Sequence, residues 1–93
     1  TIALEPRNKI AWYGRAEVFR MLGHRDLACA DLSRAIEIDP AYAEALLRRS
    51  ILRQAAGNLP GAISDLRQLL QTAPADWPHR LRVMADLQRL LER

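Results

Sequence analysis

The chain of 93 residues contains a single cysteine, Cys29. One cysteine cannot form an internal disulfide framework or a thiolate zinc site, because both need several. Cys29 lies within a predicted helix beside Ala28, and no histidine or cation pattern that would lower its pKa can be assigned to it. We therefore interpret Cys29 as a small, half-buried apolar residue and not as a reactive thiol.

Aromatic residues, glycines and long apolar runs are also scarce. Aromatic residues make up 5% of the chain and there are four glycines, whereas 49% of the residues are hydrophobic. This balance favours helices joined by short turns over a sheet protein, which needs many turn residues. No apolar run approaches the roughly 18 residues of a membrane span. We therefore expect a soluble protein with no membrane partner, and the cytoplasm is the favoured compartment.

Catalytic and cofactor-binding motifs are missing as well. No carboxylate pair or nucleophile is spaced around either of the two histidines, His24 and His79. The sequence has no glycine-rich loop, no metal-ligand spacing and no nucleotide fingerprint. We therefore predict that the chain is not an enzyme and binds no cofactor or metal. Both histidines are expected to be exposed, in a turn and near a helix end.

The charge is positive but mixed. The formal net charge is +3 with a pI near 9.8, and 13 of the 14 basic residues are arginine. Nucleic-acid binding needs a contiguous basic face with aromatic stacking groups. Here acidic residues are interleaved with the arginines, at Glu37, Glu44, Asp65 and Asp86. Nucleic acid is therefore a disfavoured partner.

What the chain does contain is an internal repeat with a period of 34 residues. It is clearest in residues 23–40, GHRDLACADLSRAIEIDP. The repeated pairs are Gly23 and Gly57, Ala28 and Ala62, Asp31 and Asp65, Leu32 and Leu66, and Pro40 and Pro74. A period of this length is typical of stacked repeats, in which each unit leaves an apolar face for the next unit to cover.

The residues around this stretch resemble the tetratricopeptide repeat. The first copy carries the pattern at Trp12, Arg15, Ala16, Phe19, Gly23, Ala28, Leu32 and Pro40. In the second copy, Leu46 stands where the family usually carries tryptophan, and Arg53 stands where it carries an aromatic residue. The resemblance implies an all-α fold, an α-α superhelix of antiparallel helix pairs, with two full repeats and a C-terminal capping helix.

The period also divides the chain, which we interpret as one domain of 93 residues. Residues 7–40 and 41–74 are the two repeats, and residues 75–93 are the capping helix. Residues 1–6, TIALEP, resemble the end of a repeat whose beginning is missing, and the chain has no initiator methionine. We therefore expect a fragment of a longer repeat array.

Caps and helix breakers predict helices over about 8–22, 26–38, 42–56 and 60–72, and one more within 76–93. In the last helix we expect an apolar stripe and we expect Trp77 to pack against the second repeat. The stripe consists of Leu81, Met84, Leu87, Leu90 and Leu91.

Small and charged residues at matching positions predict how the helices of each repeat contact one another. Ala16 and Ala28, then Ser50 and Ala62, are expected to let the two helices approach closely. Arg15 with Asp31, and Arg49 with Asp65, are expected to form an ion pair between the helices. The alternative is that these charges are solvated independently.

By resemblance, the first helix of each repeat lines a concave groove that holds a partner segment. The candidate groove residues are Tyr13, Glu17, Arg20, Leu47, Ile51, Gln54, Leu81, Ala85 and Gln88. In chaperone-binding members of the family, a clamp of lysines and asparagines grips a terminal carboxylate. Tyr13 and Glu17 replace that clamp in the first helix here. The resemblance therefore implies an adaptor or scaffold that binds an apolar or amphipathic protein segment at roughly micromolar strength.

Two alternatives remain open at this point. In the first alternative, the chain is a structural module that self-associates, as a homodimer through its terminal helix or another exposed terminal surface. In addition, Leu47, Ile51 and Leu81 could pack between adjacent repeats and form no groove.

Overall fold

The computed structural model describes residues 8–92, which form five α-helices and no strand within that range. The helices are α1 (Lys9–Met21), α2 (Arg25–Ile38), α3 (Ala43–Ala55), α4 (Leu59–Thr72) and α5 (Arg80–Leu91). The first four agree with the predicted bounds to within about one residue. The interpretation of residues 1–6 as the tail of a preceding repeat lies outside the described residues.

Asparagine side chains cap the first helix of one pair and the second helix of the other. The Asn8 side chain accepts hydrogen bonds from the Ile10 and Ala11 amides, at 3.0 and 3.3 Å, so the predicted cap of α1 is confirmed. The Asn58 side chain accepts from the Gly61 amide at 3.1 Å. Pro60 lies in the first turn of α4, where its missing N–H costs no helical hydrogen bond.

Gly23 and Gly57 end α1 and α3 in the same way. Their φ angles are +86° and +82°, which L side chains rarely adopt. The next amide in each turn donates back to the helix, from His24 to the Phe19 carbonyl and from Asn58 to the Arg53 carbonyl, both at 2.8 Å. These bonds satisfy carbonyls that a helix end otherwise leaves unpaired. The chain therefore reverses direction twice with one turn geometry, 34 residues apart.

Each helix packs against the next one along the chain. The four small residues predicted at the helix contacts are all buried, with at most 1% of their surface exposed: Ala16, Ala28, Ser50 and Ala62. The prediction of close contact through these residues is confirmed, since a larger side chain would hold the backbones apart. The hydroxyl of Ser50 donates to the Leu47 carbonyl at 2.7 Å, which satisfies this buried polar group within its own helix.

The apolar core runs through the stack without a break. Leu32 and Leu66, one period apart, are at most 1% exposed, and Leu46 and Leu69 are fully buried. Val83 of α5 joins the same cluster. The repeated leucines thus form the continuous core that a stacked repeat requires.

Both predicted ion pairs are present and bidentate. Arg15 donates to the two carboxylate oxygens of Asp31 at 2.7 and 2.9 Å, and Arg49 donates to those of Asp65 at 3.0 and 2.6 Å. Arg53 also donates to Asp65, at 3.0 Å. This third cation stands where the resemblance places an aromatic residue, and its bond to Asp65 was not expected from the sequence.

The predicted apolar stripe of α5 is wrong in three of its five positions. Leu87 and Leu90 pack in the core, but the side chains of Leu81, Met84 and Leu91 are 79%, 47% and 46% exposed. Within the described residues α5 packs extensively against α4 alone, so it buries a narrow stripe that includes Val83. Trp77 is half-buried against the core cluster, and its packing against the second repeat in particular stays a prediction.

Candidate functional site

A cavity of about 420 Å³ lies between α3 and α5, and we call it the α3–α5 cavity. From α3 it is lined by Ala43, Glu44, Leu47 and Ile51, and from α5 and the preceding loop by Trp77, His79, Arg82, Val83 and Asp86. Its volume falls within the range of roughly 300–1,000 Å³ that is typical of ligand pockets. The cavity is therefore large enough to enclose a bulky side chain of a partner.

A smaller cavity of about 120 Å³, the α1–α3 cavity, lies on the other side of α3. It is lined by Tyr13, Glu44, Leu47, Arg48 and Ile51. Three of these residues also line the α3–α5 cavity, so the two cavities adjoin across α3. Together they form one groove that crosses the first helix of each repeat, and we call it the concave groove.

The 34-residue period explains why the two cavities are built alike. Tyr13 of α1 and Leu47 of α3 are one period apart, and so are Arg48 of α3 and Arg82 of α5. Each cavity therefore has an apolar residue on one wall and an arginine on the other. Leu47 and Ile51 share one face of α3 because they are four residues apart. Ile51 is 45% exposed, which leaves apolar surface open to a partner.

Beside the α1–α3 cavity, the carboxylate of Glu17 contacts two arginines. Glu17 accepts from the Arg20 guanidinium at 3.0 Å, and the Nε atom of Arg48 lies 3.0 Å from the other oxygen of Glu17. That Nε atom is buried and its N–H makes no hydrogen bond, so the contact with Glu17 is an ion pair with poor hydrogen-bond direction. The hydrogen bond with Glu17 raises the pKa of Arg20 above its ordinary value. The excess positive charge of the two arginines over Glu17 is offset by Glu44, which also lines this cavity.

In the α3–α5 cavity the charges are only partly matched. Asp86 forms an ion pair with Arg89 on its own helix. Glu44 and Arg82, on opposite walls, form no ion pair with any described residue. Both are available to polar groups of a bound segment.

An aromatic contact braces the α1 side of the groove. The rings of Tyr13 and Tyr42 lie 5.5 Å apart between centroids, and the ammonium of Lys9 lies 4.9 Å from the Tyr42 ring. Burial raises the pKa of the Tyr42 hydroxyl, so this ring stays neutral at physiological pH. The Tyr13 side chain is therefore held in position by packing against Tyr42 as well as by its place on α1.

The structure places the candidate groove residues in three groups. Tyr13, Leu47 and Ile51 line the cavities. Glu17 and Arg20 lie beside them in the ion-pair network. The remaining four candidates line neither cavity: Gln54, Leu81, Ala85 and Gln88. The Gln88 side chain instead donates to Glu92 at 3.1 Å.

Several lining residues were not anticipated from the sequence, namely Ala43, Glu44, Arg48, Trp77, His79, Arg82, Val83 and Asp86. One cavity lies between α1 and α3 and the other between α3 and α5, so α3 contributes residues to both. The resemblance indicated only one side of each helix. The sequence did contain one signal for the arginines. Arg48 and Arg82 are 34 residues apart, which is the same separation as that between the candidate groove positions Tyr13 and Leu47.

Groups that could carry other chemistry are few. Cys29 is half-buried as predicted, and burial raises the pKa of its thiol, which keeps it protonated. His24 and His79 are exposed, also as predicted. Across residues 8–92, no three His, Cys, Asp or Glu side chains are grouped so that they could hold a metal ion. None of the described helices is both long and apolar enough to cross a membrane.

Many arginines are engaged within the protein. Arg49 and Arg53 share Asp65, Arg15 binds Asp31, and Arg48 lies against Glu17. Engaged guanidiniums do not form the contiguous free basic face that nucleic-acid binding needs. The groove with its apolar floor is therefore a better-defined candidate site than any basic surface formed by the arginines.

Known proteins share both the sequence pattern and the fold. DnaJ homolog subfamily C member 3 from Rattus norvegicus is 36% identical over 72 residues, which are 77% of this chain and 14% of that protein. Sperm-associated antigen 1 from Mus musculus is 37% identical over 65 residues, 70% of this chain and 7% of that protein. This chain therefore spans only a small part of the curated relatives that it matches.

A solved structure described as the first TPR of Spaghetti (RPAP3) bound to the HSP90 peptide SRMEEVD has the same fold. The TM-score is 0.79 at 22% sequence identity, over 98% of this chain and 71% of that one. The sequence profile of the tetratricopeptide repeat matches residues 10–41 and 44–76, which is more than half of the chain. The chain belongs to the tetratricopeptide repeat family.

Proposed function

We propose that this chain is an adaptor or scaffold module that holds an apolar or amphipathic segment of a partner protein in the concave groove. The family and its fold are generally those of non-catalytic interaction modules. The observation that carries the proposal is the pair of adjoining cavities, which share the apolar side chains Leu47 and Ile51.

Burial of apolar surface supplies most of the binding energy in this proposal. Removing apolar surface from water contributes about 25 cal/mol per Å², and a few well-packed anchors dominate most interfaces. Association also costs translational and side-chain freedom, so only part of that gain appears as affinity. For a short segment we expect a Kd in the micromolar range, about −8 kcal/mol.

The structural neighbour is bound to the peptide SRMEEVD, whose last residue is an aspartate. By the resemblance described above, such peptides are gripped by lysines and asparagines, and Tyr13 and Glu17 occupy the corresponding sites of α1 here. Glu17 already pairs with Arg20 and Arg48, so neither guanidinium is free to grip a terminal carboxylate. We therefore propose that this chain holds its partner by burying side chains, without a clamp on a terminal carboxylate.

Ile51→Glu tests this proposal. A random peptide library is selected on the wild-type chain, and selected peptides are then titrated against both proteins by calorimetry. We expect the substitution to weaken binding at least about 30-fold, because it places a charge on the apolar floor. Ile51 is nearly half exposed, so the free energy of unfolding should change by less than about 0.5 kcal/mol.

The matched control is Gln71→Glu, which adds the same charge at an exposed position of α4, on the same helix face as Ile63 and Arg67 and outside the groove. It should leave both affinity and stability unchanged. Equal affinity of the Ile51→Glu protein for the selected peptides would contradict the proposed groove. A large loss of stability in Ile51→Glu would show instead that Ile51 packs between repeats as part of the core.

Self-association is the second candidate function, because α1 and its C-cap residue Leu22 expose apolar side chains. These side chains are Ile10, Val18, Met21 and Leu22, which are 53–74% exposed. Apolar side chains grouped in this way are typical of interaction surfaces. Sedimentation velocity at several concentrations tests the candidate. A sedimentation coefficient that rises with concentration supports a homodimer, and a constant monomer value contradicts it.

A further inference from the structure

We propose that the α3–α5 cavity takes one aromatic side chain of the partner segment, flanked by one basic and one acidic residue. The basic residue lies towards Glu44 on the α3 wall, and the acidic residue lies towards Arg82 on the α5 wall. This inference rests on the proposed function, since it specifies the part of the segment that enters the larger cavity of the concave groove. It follows from the lining and the charges of that cavity.

The apolar lining of the cavity comes from both walls. Leu47 and Ile51 contribute to it from α3, and Val83 contributes from α5. Val83 is 1% exposed and Leu47 packs against the core, so the packing of the stack holds this surface in place. A side chain that enters the volume of about 420 Å³ therefore gains apolar contacts on two sides.

Trp77 gives the cavity an aromatic wall. Its ring meets the ring of His79 edge-on, with 5.3 Å between the centroids, and both residues line the cavity. The Trp77 side chain also packs against the core. Aromatic rings attract one another in offset-stacked and edge-to-face arrangements, in addition to the gain from burying their surface. The wall therefore favours an aromatic anchor over an aliphatic one of similar size.

The charges of the cavity differ between its two walls. Asp86 on the α5 wall forms an ion pair with Arg89 of its own helix. Glu44 on the α3 wall and Arg82 on the α5 wall pair neither with each other nor with another described side chain. The cavity as a whole thus favours neither sign of charge, but it presents an open carboxylate on one wall and an open guanidinium on the other.

The neighbouring cation on α3 does not occupy Glu44. Arg48 follows it by four residues, a spacing that permits an ion pair, but Arg48 contacts Glu17 instead. Glu44 and Arg82 are both exposed, and exposed charges discriminate between partners more than they add affinity. A segment with two charges of one sign meets one attractive and one repulsive wall, whereas a segment with one charge of each sign matches both walls.

Four peptides with one anchor and different flanks test this pattern. They are acetylated and amidated Ser-Lys-Trp-Glu-Ser, Ser-Glu-Trp-Lys-Ser, Ser-Lys-Trp-Lys-Ser and Ser-Glu-Trp-Glu-Ser. Both orders of the mixed peptide are included because a segment can cross the cavity in either chain direction. In NMR titrations of the ¹⁵N-labelled chain, at least one mixed peptide should bind at least about threefold more tightly than both same-sign peptides. Replacing its tryptophan by leucine should weaken binding about two- to tenfold.

Charge reversal on each wall changes the preferred peptide in a way that a purely structural effect cannot imitate. With Glu44→Arg both walls are positive, and the peptide with two glutamates should bind best. With Arg82→Glu both walls are negative, and the peptide with two lysines should bind best. The double reversal restores one charge of each sign and the wild-type net charge, so it should again prefer a mixed peptide.

Arg67→Glu is the control for net charge, since Arg67 is an exposed residue of α4 beside Ile63 and Ser64, outside the groove. It carries the same change in net charge as Arg82→Glu and should keep the wild-type preference for a mixed peptide. The urea unfolding midpoints of all the variants should match that of the wild-type chain, because the substituted residues are exposed.

The outcomes separate this inference from the proposed function. If mixed and same-sign peptides bind equally to the wild-type chain, or if the single reversals leave the preference unchanged, the inference is overturned. Equal affinity of the tryptophan and leucine peptides also overturns it, as does binding of library-selected peptides through Ile51 when none of the four designed peptides depends on Ile51. In each of these cases Ile51-dependent binding of the selected peptides keeps the proposed function. If neither the designed nor the selected peptides depend on Ile51, both proposals fail.

Discussion

Asp65→Asn is expected to lower the free energy of unfolding by about 3 kcal/mol. The Asp65 carboxylate is 1% exposed and accepts hydrogen bonds from two arginines, Arg49 and Arg53. Removing one partner of a buried ion pair typically costs about 3–5 kcal/mol, because the remaining charge is buried without compensation. We take the lower end because 27% of the Arg53 side chain is exposed, which lets water screen its charge. Urea unfolding followed by circular dichroism measures the change.

Asp31→Asn is the matched comparison, because it removes the corresponding carboxylate one period earlier. Asp31 is also buried, but its partner Arg15 is 48% exposed and has water available. The hydrogen bond with Asp31 raises the pKa of Arg15, so the pair is favourable, yet its loss should cost less than the loss at Asp65. Equal effects of the two substitutions, or no effect at Asp65, would contradict the role assigned to the buried network.

Ala28→Leu is expected to lower the free energy of unfolding by about 1–3 kcal/mol. Ala28 has no exposed surface, and the contacts between α1 and α2 leave no room for three additional carbon atoms. Overpacking of this kind forces strained side chains or separates the backbones. The same urea experiment measures the effect, and the retained helical signal shows whether the fold survives.

Ala30→Leu is the control for this substitution, since Ala30 lies on the exposed side of the same helix. It should change stability by less than about 0.5 kcal/mol. An unchanged unfolding midpoint in Ala28→Leu would show that the two helices are farther apart at this point than the structure has them.

The sequence was most informative where one residue type meets one physical requirement at two places in the chain. Gly23 and Gly57 recur because both turns need a positive φ, and the four small residues at the helix contacts recur because the backbones approach closely. Arg15 with Asp31 could be recognised for the same reason. Features of this kind depend on local geometry and on the period, and both can be read from a sequence.

Features that depend on a particular neighbour could not be read in the same way. The apolar residues of α5 can form more than one stripe, and only its packing against α4 selects Val83 over Leu81. Arg53 was placed at a position usual for an aromatic residue, but whether a guanidinium there reaches Asp65 depends on the distance between α3 and α4. Such distances are set by the whole stack.

The site was predictable to the same extent. Tyr13, Leu47 and Ile51 were proposed because the resemblance assigns them to the first helices and the period aligns them. The structure places them on the cavity walls, and a role in binding a partner stays a prediction. Arg48 of α3 and Arg82 of α5 line the cavities from helix sides that the resemblance did not indicate. Their place in the groove becomes visible only when two helices are placed side by side.

The most direct test of the groove is a ¹⁵N-resolved NMR titration of the chain with a peptide selected from the library. In the groove account, the amide signals that shift most are those of Tyr13, Leu47, Ile51 and Val83, which come from the three helices that form the two cavities. Signals from Ile63 and Ser64 on α4 should stay in place. If the largest shifts instead occur on α2 and α4, or only on the exposed apolar residues of α1, the partner binds elsewhere and the central claim is wrong.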